Sequence, residues 1–252
     1  RYVGRWSRLV GREFLDWLGL PPGLRWLDVG CGTGELSRAI LERAKADQVL
    51  GLDPAAGFLT YAPRISSDQR LRFQPGEALA LPVADGSFDA AVSGLVLNFV
   101  PAKEKAVSEM RRAVRPGGTV AAYVWDYAGE MQLMRHFWDA AVALDPAAAE
   151  LDEGRRFPIC RPERLAALFR KAGFEDVKGR AIDVPTVFED FDDYWTPFLS
   201  GQAPAPGYCM SLAKDARARL QGRLRQMLPQ GKDGRITLIA RAFAVRGRVP
   251  ES

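Results

Sequence analysis

The run from Trp26 to Ser37, WLDVGCGTGELS, constrains this chain more than any other stretch, because it turns an apolar strand into a helix through three alternating glycines. Leu24 to Val29 reads as a buried strand, and Gly30, Cys31, Gly32, Thr33 and Gly34 form a turn too tight for bulky side chains. Glycine at such points accepts positive φ and lets a ligand approach the backbone closely. From Glu35 to Ala46 the apolar positions Leu36, Ala39 and Ile40 recur at helical spacing. The turn therefore feeds a helix N-terminus, whose free N–H groups attract oxyanions. A second strand, Gln48 to Asp53, closes a strand-helix-strand unit and ends on a carboxylate. An acid at that distance from the glycines is placed to accept hydrogen bonds from both hydroxyls of a bound ribose.

The glycine spacing discriminates between cofactors. A dinucleotide-binding turn has the form G-x-G-x-x-G, with its third glycine close to a pyrophosphate. That position is Glu35 here, and an acidic side chain would face a pyrophosphate unfavourably. The pattern from Asp28 to Gly34, D-x-G-x-G-x-G, instead resembles motif I of class I S-adenosylmethionine-dependent methyltransferases, whose cofactor has an amino acid tail and no phosphate. The resemblance implies an α/β fold, a Rossmann-like seven-stranded mostly parallel sheet with helices on both faces and a helical cap. It also implies S-adenosylmethionine as cofactor and S-adenosylhomocysteine as product.

Later segments carry the same resemblance. It assigns the cofactor loop to Asp28, Gly30, Cys31, Gly32 and Gly34, the ribose acid to Asp53 with Pro54 beside it, and the apolar residue beneath the adenine to Phe58. The stretch Pro75 to Val100 follows a strand, Leu71 to Gln74, and looks like the segment that recognises adenine, with Glu77 and Ala78 on the positions that meet its amino group and ring nitrogen. The family more often has Asp where this chain has Glu77. Phe88 to Leu97 reads as a fourth strand from its continuous apolar run. Its end should line the cofactor cleft, with Gly94 and Leu95 against the cofactor and Asn98 and Phe99 in the substrate pocket. Asn98 stands where many relatives have histidine, so no general-base role transfers to it. A helix from Lys103 to Val114 and a type II turn at Arg115–Gly118 lead into strand five, Thr119 to Trp125. Trp125 and Tyr127, just past that strand, are expected to line the methyl-acceptor side.

Residues 1–20 form an amphipathic helix carrying Trp6, Leu9, Val10, Phe14, Leu15 and Leu18 at helical spacing, ended by Gly19 and two prolines. Relatives use such a helix to cover the methionine end of the cofactor, which makes Tyr2 and Arg5 candidate carboxylate contacts. The expected organisation is this covering helix, a cofactor-binding core over 21–127, a cap insertion over 128–160, a continuation of the core over 161–187, a second cap insertion over 188–228, and a final strand and tail over 229–252. In the first insertion Gln132 to Leu144 reads as a helix. Pro162 to Ala172 follows as a helix capped by Gly173, and Phe174 to Val184 as strand six. The second insertion is aromatic early, with Phe191, Tyr194, Trp195 and Phe198, and helical late after a Pro/Gly-rich break from Ala203 to Gly207. Ile236 to Val245 supplies the last strand. The aromatic residues either bury the insertion or favour an apolar, planar substrate.

At 252 residues and 47% apolar content the chain can fill a sizeable core. No apolar run approaches the roughly 18 residues of a membrane span, and no secretory signal pattern is visible. Cys31, Cys160 and Cys209 are odd in number and far apart, which gives neither a disulfide framework nor metal-ligand spacing, and a cytoplasmic setting follows. The net charge of +4 is spread among interspersed acids, so a nucleic-acid partner is disfavoured and a small-molecule methyl acceptor is expected. The one histidine, His136, and Asp126 at a strand end are weak candidates for a general base. The functional reading is methyl transfer to a small, apolar or aromatic metabolite by in-line displacement. An RNA-modifying methyltransferase and a non-catalytic S-adenosylmethionine sensor are the alternatives.

Overall fold

The computed structural model describes residues 4–61, 66–201 and 203–251. Seven strands form one sheet: β1 (Arg25–Val29), β2 (Gln48–Asp53), β3 (Leu71–Pro75), β4 (Phe88–Gly94), β5 (Val114–Trp125), β6 (Glu175–Phe188) and β7 (Ile236–Arg248). Their order is β3-β2-β1-β4-β5-β7-β6. The pairs β2–β3, β1–β2, β1–β4 and β4–β5 are all parallel. Strand order reverses between β1 and β4, and in open α/β sheets ligands bind beyond the carboxyl ends of the strands at that point.

The chain divides into two compact units. The first holds Arg8–Val124, Arg161–Ile182 and residues 243–251. Its sheet core is sealed by Trp26, Leu27, Leu52, Ala91, Val92, Val120 and Ala121, each at most 1% exposed. Four helices matter for the site: α1 (Gly4–Leu18), which joins this unit from Arg8 onward, α2 (Glu35–Arg43), α3 (Ala56–Tyr61) and α4 (Lys103–Ala113). In α1 the predicted stripe is real: Val10, Phe14, Leu15 and Leu18 are buried, and Gly19 ends the helix at φ +57°.

The second unit holds residues 4–7, Trp125–Cys160 and Asp183–Ala242. Its helices are α5 (Gln132–Leu144), α6 (Glu153–Arg156), α8 (Phe191–Trp195), α9 (Pro204–Ser211) and α10 (Lys214–Met227), while α7 (Pro162–Lys171) belongs to the first unit. Aromatic rings make its core. Phe137 of α5 stacks on Phe198 with centroids 4.4 Å apart, Trp6 packs on Phe188, and the buried Tyr194 hydroxyl donates to the Leu133 carbonyl at 2.9 Å. Phe191, Tyr194, Trp195 and Phe198 are all within 5% of complete burial, so these rings hold the unit together.

Several expected boundaries move, each for a local reason. β4 stops at Gly94 and not Leu97, because Leu95 takes a left-handed conformation at φ +63° that no apolar pattern reveals. β5 begins at Val114, which α4 was expected to include. Val114 pairs with Phe88 and Thr119 with Ala90, so Arg115–Gly118 loops out of the ladder around Gly117 at φ +74°. The Pro/Gly-rich stretch expected to be a break starts α9 instead: Pro204 occupies the first helical turn, where its missing N–H costs nothing, and the break is confined to Ala203 at φ +80°.

Candidate cofactor site

The site grows from the carboxyl ends of β1, β2 and β4. Gly30, Gly32 and Gly34 have φ of +78°, +53° and +85°, conformations that side chains resist. The first is also demanded by packing, since a Cβ on Gly30 would lie 2.6 Å from a methyl carbon of Val96. Backbone bonds brace the bend. Gly30 and Cys31 both donate to the Leu52 carbonyl, at 2.8 and 3.0 Å, and Gly34 donates to the Cys31 carbonyl at 2.8 Å. Gly34 then begins α2 with no side-chain cap.

Asp53 closes the loop from β2. Its Oδ2 accepts from the Gly32 N–H and its Oδ1 from the Ala55 N–H, at 2.9 and 2.8 Å. Its partner in the β2–β3 register is Pro75, and Gly76 donates to the Asp53 carbonyl at 3.3 Å. That contact brings the next residues, Glu77 and Ala78, to the same end of the sheet. Glu77 is exposed and Ala78 half-buried, and Pro54 and Phe58 are exposed, Phe58 at 49%.

Asp28 lies beneath the loop, 1% exposed. Its Oδ2 accepts from the Ser37 hydroxyl at 2.6 Å, and its Oδ1 has no hydrogen-bond partner. Burial, opposed by the Ser37 bond and reinforced by the nearby Asp53 charge, pushes its carboxyl up to about 7. Burial and the Asp28 and Asp53 charges also push the Cys31 thiol up. Cys31 is therefore a packed thiol, and its sulfur would lie 3.0 Å from a Cβ on Gly51. Glu35 pairs with Arg38 and Arg8 at 3.2 and 3.4 Å in the first turn of α2.

At the end of β4, Leu95 donates to the Tyr123 carbonyl at 2.8 Å. Asn98 is 4% exposed, and neither its amide nitrogen nor its oxygen has a partner. Phe99 beside it is 58% exposed. Asp28, the three glycines, Cys31, Asp53, Glu77, Ala78, Gly94, Leu95, Asn98 and Phe99 thus all belong to the first unit.

Other sequence candidates are placed differently. Tyr2 lies outside the described residues. Arg5 pairs with Asp193 at 3.1 Å and stacks over Trp6 and Phe188, so its charge already has a partner. Trp125 and Tyr127 were expected to line a pocket, but they are 2% and 6% exposed, and Tyr127 packs on Phe157. Asp126 accepts from the Glu130 N–H at 2.9 Å and stabilises the turn that starts α5. His136 is half-buried on α5, and burial lowers its pKa. Sequence reading missed Ser37 and Tyr123. Tyr123 sits within an apolar run and Ser37 within a mixed helix, where a hydroxyl reads as incidental.

The residues present fit an adenosyl cofactor. A Cβ on Gly32 would meet nothing within 4 Å, so the loop backbone is open to close approach, and the orphaned Asp28 Oδ1 is an acceptor suited to a cationic group. Comparison with known proteins agrees. A family described as a methyltransferase domain matches residues 27–122. A 2-phytyl-1,4-naphtoquinone methyltransferase of Thermosynechococcus vestitus is 34% identical over 178 residues, 65% of this chain and 78% of that one. A demethylmenaquinone methyltransferase of Renibacterium salmoninarum is 40% identical over 114 residues, 45% of each chain. Among solved structures, the YcgJ protein of Bacillus subtilis superposes with a TM-score of 0.61 at 17% identity, covering 98% of this chain and 100% of that one. Its likeness is one of fold. On the glycine loop, the acid closing it, the strand order and the extent of the match to the naphtoquinone enzyme, this chain belongs to the small-molecule class I S-adenosylmethionine-dependent methyltransferases.

Proposed function

We propose that the enzyme methylates a small apolar or aromatic ring compound by in-line displacement on S-adenosylmethionine. The observation that carries the acceptor class is the 34% identity over most of the naphtoquinone methyltransferase. A further relative, 35% identical over 114 residues and matched over 29% of its length, is named for a sterol. Both names describe apolar ring systems.

When bound, the cofactor supplies a sulfonium-activated methyl carbon whose positive charge disperses in the transition state. The chain's task is alignment, and orientation of this kind can contribute roughly 7 to 11 kcal/mol of barrier lowering. In this reading Asp53 fixes the sugar and Glu77 the adenine. Asp28, when ionised, favours a cationic tail. Asn98 and Phe99 then address the acceptor from the turn after β4. Exclusion of water matters as much as contact, because a desolvated nucleophile attacks faster and electrostatic contacts strengthen in a dry site.

The test is incubation of the protein with cofactor labelled in its methyl group and two extracts, one of apolar lipids and one of water-soluble metabolites. Label passing to an apolar ring compound supports the proposal. Label passing only to water-soluble products or to RNA overturns the acceptor class.

A further inference from the structure

Tyr123 lies two residues from the carboxyl end of β5, paired with Gly94, the last residue of β4. Its ring packs on Phe14 with centroids 4.7 Å apart, and the residue is 3% exposed. Tyrosines this deeply buried normally hydrogen-bond their hydroxyl. Tyr123 does not: its hydroxyl has no hydrogen-bond partner among the described residues and is not fully enclosed. One glycine makes room for it, and a second stands beside it. A Cβ on Gly94 would lie 2.6 Å from the hydroxyl oxygen, and one on Gly11 would lie 3.6 Å from it. Leu36, in the first turn of α2, comes to the same place, 3.0 Å from the Gly94 Cβ position. The hydroxyl therefore occupies the volume that a side chain at position 94 would fill, beside the start of α2. Burial raises the phenol pKa, with the nearby Asp28 charge adding to it, so Tyr123 stays a donor at neutral pH.

Position along the sheet indicates which part of the cofactor it meets. Asp53 and Glu77 stand at the ends of β2 and beyond β3, on one side of β1, and these are the groups assigned to ribose and adenine. The remainder of an extended cofactor must run the other way, over β1 towards β4 and β5. We infer that the Tyr123 hydroxyl is a direct contact for the amino acid tail of the cofactor, admitted by the missing side chain of Gly94. The inference rests on the assignment of Asp53 to the ribose.

Two ligands separate that tail from the rest of the molecule: S-adenosylhomocysteine, which carries it, and 5′-methylthioadenosine, which keeps adenosine and sulfur but lacks it. Calorimetric titration of Tyr123→Phe, a variant that preserves ring packing, should show S-adenosylhomocysteine binding weakened about tenfold and methylthioadenosine binding within about twofold of the native protein. Asp53→Ala should weaken both ligands alike. Gly94→Ala, whose new methyl collides with the hydroxyl, should reproduce the selective loss. Tyr123→Phe binding S-adenosylhomocysteine as the native protein does, or losing both ligands equally, overturns the inference. If Asp53→Ala leaves both affinities unchanged, the ribose assignment fails first and this inference falls with it.

Discussion

Asp53 Oδ2 accepts a hydrogen bond from the backbone N–H of Gly32 at 2.9 Å, so the acid that closes the second strand also holds the middle of the glycine loop. Its other oxygen accepts from Ala55 at 2.8 Å. An ionised carboxylate has about four acceptor directions, so two remain for sugar hydroxyls. Asp53→Ala removes both functions. Charge-assisted bonds of about 1.5 to 3 kcal/mol predict at least a tenfold loss of cofactor affinity. Amide exchange at Gly32 should also accelerate. Asp53→Asn keeps one oxygen and the shape, and should lose less. Calorimetry and hydrogen exchange read the two effects separately, and unchanged affinity in Asp53→Ala would rule out the ribose assignment.

Asp28 makes stability and cofactor affinity depend on pH in opposite directions. Its carboxyl titrates near 7 when folded against an ordinary value of 3.8, chiefly because burial disfavours the charge. Between those values the folded state holds a proton that the unfolded chain has lost. This group's contribution to stability is therefore present below about pH 4, declines as pH rises towards 7, and is flat above. Asp28→Asn, which can still accept from Ser37, should unfold at a temperature higher than the native protein by roughly 5 °C at pH 8, the gap narrowing steadily towards pH 4. The cofactor's cationic tail favours the ionised form, so native affinity should rise from pH 6 to 8 with release of a proton. Scanning calorimetry across pH, with titrations in two buffers of different ionisation enthalpy, checks both. Parallel stability curves for the two proteins would remove the basis of this prediction.

The candidate bases should prove dispensable. Asp126 is occupied in accepting from the Glu130 backbone, and His136 sits half-buried on α5 beside Arg135 and Asp139. Asp126→Asn and His136→Gln are each expected to change turnover by less than about tenfold, below the effect typical of a positioned general base. A loss of a hundredfold or more from either would give that residue a proton-transfer role.

How much of this was legible in the sequence depended on whether a residue's role is local. The glycine loop, β2 ending on Asp53 and the helix Gln132–Leu144 follow from spacing along the chain, and the structure places all three as read. Gly51 shows the limit. It reads as an unremarkable strand residue, yet a Cβ there would come within 2.6 Å of the Phe73 ring on the neighbouring strand. Only the β2–β3 register supplies that partner. Trp125 and Tyr127 meet the same limit, because proximity to a strand end does not say whether a ring faces a ligand or its own unit's core, and both are buried. Leu95 turned left-handed inside an apolar run, and periodicity carries no information about the sign of φ.

Asn98 offers a way to tell a functional polar residue from a tolerated one. It is buried in the turn after β4 with both amide atoms unpaired, and a buried unpaired polar group costs about 1 to 3 kcal/mol. Leucine has similar volume and no polar atoms. If packing alone governed this position, Asn98→Leu would stabilise the protein and leave turnover intact. If Asn98 addresses the methyl acceptor, the variant should still gain stability, by about 1 kcal/mol or more, while its turnover falls at least tenfold and its affinity for S-adenosylmethionine stays as it was. The combination is diagnostic because a substitution that damaged the loop would lower stability, and one that disturbed the cofactor would lower its affinity. Chemical denaturation, calorimetric titration and an activity assay on one preparation measure all three quantities. A variant that is more stable and equally active assigns Asn98 to packing and moves the search for acceptor contacts to Phe99 and the exposed part of its turn.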